Sequence, residues 1–180
     1  KYGRISIMDE SGKVSTLLNL NRHLSYPFVF QDDDKTWLIP EDAGSGCLSA
    51  YEMAGNTIGK PIQIIDKPLV DATFVKHEGL YYVFAGIAGD LPNEKLRVFW
   101  SEKFEGPYEE HALNPVSVSP RGSRPGGSIF LLNGELLRPA QVSLKHYGEY
   151  LQLNKVTSLS PTVFEEKRLF DLKPEDISRK

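Results

Sequence analysis

Residues 70–84 read Val70-Asp71-Ala72-Thr73-Phe74-Val75-Lys76-His77-Glu78-Gly79-Leu80-Tyr81-Tyr82-Val83-Phe84. An apolar run leads into a short polar turn with glycine, and an aromatic and aliphatic run leaves it, which is typical of a β-hairpin. The same pattern occurs twice more, over residues 26–41 and 129–141. A repeat of roughly 45 to 55 residues that holds three or four short strands indicates the blades of a β-propeller. The repeat therefore predicts an all-β fold in which distant segments meet around one axis.

Composition restricts the class of protein. The 180 residues carry a net charge of −3, with 40% hydrophobic and 25% charged residues, which is ordinary for one globular domain. The 12 prolines and 15 glycines between short apolar runs favour many strands and turns over long helices. Because acidic and basic residues are interspersed, there is no basic stripe to neutralise phosphates, and we expect no nucleic-acid partner.

The single cysteine, Cys47, excludes an internal disulfide framework and gives no metal-ligand cluster. We therefore expect a small buried side chain at Cys47, and neither a metal nor a cofactor. No apolar stretch approaches the roughly 20 residues that span a bilayer, so we expect neither membrane insertion nor a signal peptide within these residues. The chain begins at Lys1 without methionine, which indicates a processed or excised segment. The compartment is left open, with the cytoplasm favoured.

The repeats divide the chain into predicted blades. Residues 1–22 are assigned to the tail of a preceding blade, 23–170 to three propeller blades, and 171–180 to a C-terminal tail. The three blades are assigned to about 23–65, 69–111 and 116–166. Closed propellers need about four to eight blades, so the chain is predicted to be a β-propeller fragment of about three blades. Exposed strand edges promote association, so missing blades or a second copy are expected to cover them.

The geometry of a blade brings the candidate site residues together. The first strand lines the central channel and the second runs antiparallel beside it, so the start of one and the end of the other lie at the same face, the mouth. Carboxylates, guanidinium groups, an imidazole, an amide and a phenol there suit a sugar, or an anionic group on a sugar. The predicted ligand-binding residues are His23, Tyr26, Glu41, Asp71, Arg124, Arg138, Gln141 and Tyr147.

The same residues also have structural interpretations, which stay open at this point. The alternatives are a loop cap for Asp71, a solvated turn for Glu41, ion pairs for Arg124 and Arg138, a structural hydrogen bond for His23, and hydrogen bonds between blades for Gln141 and Tyr147. No G-x-S-x-G, P-loop or H-E-x-x-H motif is present. No catalytic residue is assigned, and Asp71 and Glu41 are the candidates for any catalysis.

Several strings resemble one family. They are His23-Leu24-Ser25-Tyr26-Pro27-Phe28-Val29-Phe30, Ile39-Pro40-Glu41, Val70-Asp71-Ala72-Thr73, Ser123-Arg124-Pro125-Gly126-Gly127, and Leu137-Arg138-Pro139-Ala140-Gln141 with Tyr147-Gly148. They are similar to the five-bladed propeller domain on the N-terminal side of plant glucosamine inositolphosphorylceramide transferases. Similar bacterial domains occur, some of them fused to formyltransferase-like modules. The resemblance covers about residues 23–166 and implies five blades, with further blade sequence on both sides.

That family is more distantly similar to five-bladed glycoside hydrolases of the arabinanase and β-xylosidase type. The hydrolases carry a base aspartate, a pKa-tuning aspartate and an acid glutamate at the channel ends of three successive blades. Asp71 matches the tuning aspartate, but Ser25-Tyr26 stands where the base should be and Arg124-Pro125 where the acid should be. Since an inverting glycosidase needs both carboxyl groups, hydrolysis by the usual mechanism is disfavoured.

Three functions follow as hypotheses. The first is a carbohydrate-recognition or accessory propeller of a glycan-modifying protein, associated with a glycosyltransferase or a formyltransferase, which binds a sugar-containing ligand at the mouth. The second is a glycoside hydrolase-like enzyme with a rearranged active site at Asp71 and Glu41. The third is a protein-interaction scaffold. Whether this segment is itself an enzyme is left open, with the sequence favouring that it is not.

Overall fold

The computed structural model describes residues 2–177 and is built mainly of β-strands. Lys1 of the predicted 1–22 segment and residues 178–180 of the predicted tail lie outside these described residues. An N-terminal hairpin consists of β1 (Ile5–Met8) and β2 (Val14–Leu18). Three larger sheets follow in chain order, and a short helix, α1 (Pro174–Ile177), comes after them. The predicted all-β class is confirmed.

Each large sheet is an antiparallel meander. The first sheet contains β3 (Ser25–Asp32), β4 (Lys35–Glu41), β5 (Leu48–Ala54) and β6 (Thr57–Ile65). The second contains β7 (Leu69–His77), β8 (Leu80–Ile87), β9 (Lys95–Ser101), β10 (Glu109–Glu110) and β11 (Ser117–Val118). The third contains β12 (Arg121–Pro125), β13 (Phe130–Leu132), β14 (Glu135–Val142), β15 (Tyr150–Leu159) and β16 (Phe164–Leu172).

The hairpins β3–β4, β7–β8 and β13–β14 each turn through two residues. Glu78-Gly79 and Asn133-Gly134 connect their strands with positive φ at both residues, which is the type I′ turn that suits the twist of a two-residue hairpin. After each hairpin, the second strand reaches its far end at the same distance from the turn. Glu41, Gly86 and Gln141 therefore occupy equivalent positions at one end of their sheets.

The hydrophobic core lies between neighbouring sheets. An aromatic cluster fills the space between the first and second sheets, where the Phe104 ring lies 5.8 Å from that of Phe30 and 5.7 Å from that of Phe74. A second cluster joins the second and third sheets, with the Phe84 and Phe164 rings 5.6 Å apart. This packing of sheet on sheet fixes the first strands of the three sheets, β3, β7 and β12, relative to one another.

The N-terminal hairpin covers the outer face of the first sheet. Ile5 and Leu18 pack with Leu24, Leu38 and Tyr51 in a third, smaller cluster. The outer side of the first sheet is therefore not left to solvent.

The outer face of the third sheet has no such cover among residues 2–177. Cross-strand pairing places side chains of opposite residues on one face, and the pairs Phe130 with Leu137 and Leu151 with Leu172 define this face. Its exposed apolar side chains are Phe130, Leu132, Leu151, Phe170 and Leu172. This set is called the open face below.

Two sequence expectations concern single features. Cys47 is half-buried, not fully buried as predicted, because it lies at the edge of the loop before β5, where its sulfur contacts Ser45 and Ser49. Within residues 2–177, no helix combines the length and the apolar character needed to cross a bilayer.

Candidate functional site

A β-bulge brings Asp71 into the site. Val70 pairs with Gly86 and Thr73 with Phe84, so β7 holds one more residue over this stretch than β8 does. The chain accommodates the extra residue with φ 51° at Asp71, a left-handed conformation that side chains other than asparagine, aspartate and glycine rarely adopt. β3 has the same irregularity between Ser25 and Phe28, with φ 40° at Tyr26. Tyr26 and Asp71 are thus equivalent bulge residues in adjacent sheets.

The third sheet contributes Arg124 and Gln141. Arg124 pairs with Gln141 as Val70 pairs with Gly86, so its side chain stands beside the equivalent end of the second strand. Alignment of the repeats on Phe130 makes Gly126 equivalent to Asp71. The segment from Arg124 to Phe130 is one residue longer than the corresponding segment of the second sheet, so the register shifts by one residue. A Cβ atom at Gly126 would lie 2.8 Å from the backbone of Ala140, so close packing requires glycine there.

Asp71 is the centre of a hydrogen-bond network that joins all three sheets. Arg124 Nε donates to Asp71 Oδ2 at 2.6 Å, and Gln141 Nε2 donates to the same oxygen at 3.2 Å. On the other side, the backbone N–H of Asp71 donates to Glu41 Oε2 at 3.0 Å, while Ser25 Oγ donates to Glu41 Oε1 at 3.0 Å. Residues far apart in sequence therefore meet at one end of the sheets.

Burial sets the electrostatics of this network. Asp71 is only 4% exposed, and this desolvation is the main cause that raises the pKa of its carboxyl group to about 6. The positive charge of Arg124 opposes the rise, whereas the neighbouring Glu41 carboxylate adds to it. Asp71 therefore holds a proton more readily than an exposed aspartate does, even with an arginine in contact.

Arg124 is held from two further sides. Its Nη1 donates to Asn93 Oδ1 at 2.7 Å, and its guanidinium carbon lies 4.9 Å from the centre of the Tyr147 ring. Sequence reasoning missed Asn93, which lies in the loop between β8 and β9. The position of Asn93 indicates that it can reach the site, because its loop begins just after Gly86, at the end of the sheet where the site lies.

Tyr26 borders a cleft next to the network. Its hydroxyl lies 2.8 Å from Thr73 Oγ1, which also donates to the backbone oxygen of Asp71 at 3.1 Å. The cleft has a volume of about 300 Å³ and is lined by Tyr26, Pro27, Phe28, Val29, Gly127 and Ser128. Thr73 was also missed by sequence reasoning, although it stands two residues after Asp71 on the same strand.

The structure places two predicted site residues elsewhere. His23 is exposed, and its Nδ1 accepts a hydrogen bond from the backbone N–H of Gly3 at 3.1 Å, so it fastens the N-terminal segment. Arg138 is 1% exposed and lies inside the third sheet, where Nε and Nη2 donate to Glu166 at 2.8 and 2.7 Å and Nη2 donates to Gly122 O at 2.7 Å. Neither side chain contacts the Asp71 network. The site that remains consists of Tyr26, Glu41, Asp71, Arg124, Gln141 and Tyr147, joined by Ser25, Thr73 and Asn93.

The site offers hydrogen-bond donors and acceptors beside apolar and aromatic surface. No group of three or more histidine, cysteine, aspartate or glutamate side chains within residues 2–177 is arranged to hold a metal ion. What the arrangement provides chemically is a guanidinium group, an amide and two carboxylates next to aromatic rings.

Comparison with known proteins gives one family. The family model described as glucosamine inositolphosphorylceramide transferase 1, N-terminal, matches residues 10–177. The chain is 33% identical over 151 residues to glucosamine inositolphosphorylceramide transferase 1 of Oryza sativa subsp. japonica, and 32% identical over 151 residues to that of Arabidopsis thaliana. These matches cover 80% of this chain but only 20% of each plant protein, so the chain spans about a fifth of their length.

Solved structures of glycoside hydrolases share the fold. A thermostable family-43 glycoside hydrolase superposes with a TM-score of 0.64 at 16% identity, over 94% of this chain and 72% of its own. An exo-1,5-α-L-arabinanase from a bovine ruminal metagenomic library gives 0.63 at 13% identity, over 88% and 64%. A xylan β-1,4-xylosidase from Bacillus halodurans C-125 gives 0.60 at 21% identity, over 87% and 35%. These are β-propeller proteins, and the predicted propeller fold is confirmed.

Proposed function

Because this chain belongs to the family of glucosamine inositolphosphorylceramide transferase N-terminal domains, we propose that it is a carbohydrate-recognition or accessory propeller. It binds a sugar-containing ligand at the mouth formed by Tyr26, Glu41, Asp71, Arg124 and Gln141. The catalytic module of the glycan-modifying protein, a glycosyltransferase or a formyltransferase, lies elsewhere.

The observation that carries this proposal is the convergence of three sheets on Asp71. Arg124 and Gln141 from the third sheet and Glu41 from the first all form hydrogen bonds with Asp71 of the second. Beside them lies a cleft with an apolar and aromatic lining. Ligand sites commonly combine a mainly apolar surface with a few fixed polar groups, and a sugar ring presents C–H surface and hydroxyl groups together.

A glycoside hydrolase-like enzyme is the alternative, and one observation favours it. Asp71 and Glu41 are adjacent carboxyl groups, and the pKa of Asp71 is raised to about 6, as a general acid requires. Against it, both oxygens of Glu41 already accept hydrogen bonds, from Ser25 and from the backbone of Asp71. A carboxylate fixed in this way supports the position of Asp71 more readily than it activates water.

Sugar binding without turnover is the expected result for the protein. The probes are N-acetylglucosamine, methyl β-D-xyloside, methyl α-L-arabinofuranoside and the disaccharides that correspond to them, and the readouts are titration calorimetry and thermal shift. At least one probe should bind, and Arg124→Lys should weaken it about tenfold, because a lysine keeps the charge but loses the planar fork that holds Asp71 and Asn93.

The matched control is Arg168→Lys, which alters the ion pair of an exposed arginine with Asp171 on β16, outside the hydrogen bonds of the Asp71 network, and should leave the affinity unchanged. Turnover of nitrophenyl glycosides that Asp71→Asn abolishes would replace the proposal with the enzyme. No binding of any probe, together with intact binding of a protein partner by Arg124→Lys, would favour the scaffold.

We also propose that each large sheet is one blade, and that further blades or a second copy cover the open face. The sheets span residues 25–65, 69–118 and 121–172, so the boundary between the second and third blades lies a few residues after the one in the predicted ranges 23–65, 69–111 and 116–166. The exposed apolar side chains of that face, Phe130, Leu132, Leu151, Phe170 and Leu172, support this, since several large apolar side chains exposed on one face mark an interaction site.

The 180-residue chain alone is accordingly expected to self-associate. Phe170, 52% exposed, lies in this face, and Phe170→Glu should shift the sedimentation profile towards the monomer because a carboxylate cannot be buried there without a partner. The matched control is Leu113→Glu, which replaces a similarly exposed apolar residue, 58% exposed, in the loop after β10. A chain that is monomeric at all concentrations would contradict the expectation.

A further inference from the structure

We infer that the mouth binds two linked sugar units, one in the cleft beside Tyr26 and one on the ring of Tyr147, so that the ligand is a disaccharide or a longer glycan. This inference rests on the proposed function and adds the size class of the ligand. It also gives Tyr147 a distinct role, as the platform for the second unit.

The first position is the cleft beside Tyr26. Its volume of about 300 Å³ is at the lower end of the range for small-molecule sites, which is about 300–1,000 Å³. Tyr26, Phe28 and Val29 supply apolar surface, and Gly127 and Ser128 form the wall on the side of the third sheet. This space suits one sugar ring, and it leaves a second unit to lie outside the cleft.

The second position is the ring of Tyr147. The tyrosine is 63% exposed, and the Arg124 guanidinium group lies 4.9 Å from its centre, which leaves the rest of the ring open to solvent. Its loop is ordered by local hydrogen bonds, because the N–H of Gly148 donates to Ser143 Oγ and the N–H of Lys145 donates to Glu149 Oε2. A fixed, flat and mostly exposed aromatic ring is suited to the C–H face of a pyranose.

Arg124 lies between the two positions. Nε donates to Asp71 and Nη1 to Asn93, while Nη2 donates to no side chain or backbone oxygen within residues 2–177. The guanidinium group is fixed by these contacts and by its contact with Tyr147, so Nη2 is a preorganised donor for a ligand hydroxyl or glycosidic oxygen. The same strand leads through Pro125 and Gly126 to the wall of the cleft.

Gly127 leaves the surface between the two positions without a projecting side chain. Gly127 has φ 144°, and a Cβ atom placed on it would contact only Pro139, at 3.9 Å. No side chain therefore projects from this residue between Arg124 and the cleft, and two linked units can lie across it.

The test compares the affinities for ligands of one and of two sugar units, with the Tyr147 ring present and with it removed. Each monosaccharide probe is titrated against its disaccharide, namely N-acetylglucosamine with chitobiose, methyl β-D-xyloside with xylobiose, and methyl α-L-arabinofuranoside with 1,5-arabinobiose. For the probe pair that binds, the disaccharide should bind about tenfold more tightly, and Tyr147→Ala should lower the disaccharide affinity about tenfold, by a larger factor than it lowers the monosaccharide affinity. Tyr147→Phe keeps the ring and should bind both as the unchanged protein does.

Tyr2→Ala, which removes another exposed tyrosine, 68% exposed, serves as the control and should alter neither affinity. Equal affinity for the two lengths overturns the inference and leaves the proposed function standing. A length dependence that survives Tyr147→Ala, or an equal loss for both lengths, overturns the role of Tyr147. Absence of binding by every probe overturns the proposed function and the inference with it.

Discussion

Glu166→Gln is expected to lower the free energy of unfolding by about 3 kcal/mol, because it removes the charge that balances a buried arginine. Arg138 is 1% exposed, and its Nε and Nη2 donate to the two oxygens of Glu166 at 2.8 and 2.7 Å. The Arg138 guanidinium group is too deeply buried to reach solvent. In the Glu166→Gln variant it would therefore stay buried without a counter-charge. Urea denaturation at neutral pH measures the loss.

The neighbouring Glu165→Gln provides the control, since that side chain is exposed and its loss should change stability by no more than about 0.5 kcal/mol. The double variant Arg138→Met with Glu166→Leu should recover most of the stability, because apolar residues of similar volume often replace a buried ion pair without loss. Equal stability of the Glu166→Gln and Glu165→Gln variants would show that Arg138 finds another partner.

Arg124→Ala is expected to destabilise the protein by about 3 kcal/mol near neutral pH, because the buried Asp71 carboxylate loses its cation while Glu41 remains beside it. The loss should be smaller at about pH 5 than at about pH 7.5. The pKa of Asp71 is already raised from 3.8 to about 6, and removal of the Arg124 charge raises it further. The folded state then holds a proton that the unfolded state releases, so stability falls as the pH rises from about 4 through the folded-state pKa.

Denaturation curves at the two pH values check this prediction. Asp71→Asn combined with Arg124→Ala removes the charge as well as the cation, so this double variant should be more stable at about pH 7.5 than Arg124→Ala alone and should lose the pH dependence. Lys35→Ala, which breaks an exposed pair with Glu52, should show at most about 1 kcal/mol of change and no comparable trend. If Arg124→Ala lowers the free energy of unfolding by the same amount at both pH values, Asp71 is not the group responsible for the loss.

The contacts of Asp71 with Arg124 and Gln141 could be predicted from the sequence because they depend on the blade repeat. In each of the three hairpins the second strand covers the same number of residues from the turn to the candidate site. Glu41 and Gln141 therefore lie at the same end of the sheets as Asp71. The ion pair of Arg124 with Asp71, left open beside the ligand-binding interpretation, is present at 2.6 Å. Whether a ligand also uses these groups stays a prediction.

The sequence itself explains why Arg138 does not lie beside Gln141 in the candidate site. Side chains alternate between the two faces of a strand, and Arg138 and Gln141 are an odd number of positions apart on β14, so they point to opposite faces. Parity within the strand therefore excluded Arg138 from the site of Gln141. His23 precedes β3 and is engaged by Gly3, a contact with a distant segment that no local pattern indicates. Asn93 reaches Arg124 from the loop between β8 and β9, and only the position of that loop, at the end of the sheet where the site lies, indicates it.

The bulge at Asp71 also limits how this domain can diverge. A φ of 51° is sterically most unfavourable for the β-branched residues valine, isoleucine and threonine. Unbranched side chains are tolerated, because Tyr26 adopts φ 40° in the equivalent bulge of the first sheet. Evolutionary drift at this position can therefore exchange the charge for other unbranched side chains, and a saturation library at position 71 should be depleted of the three β-branched residues.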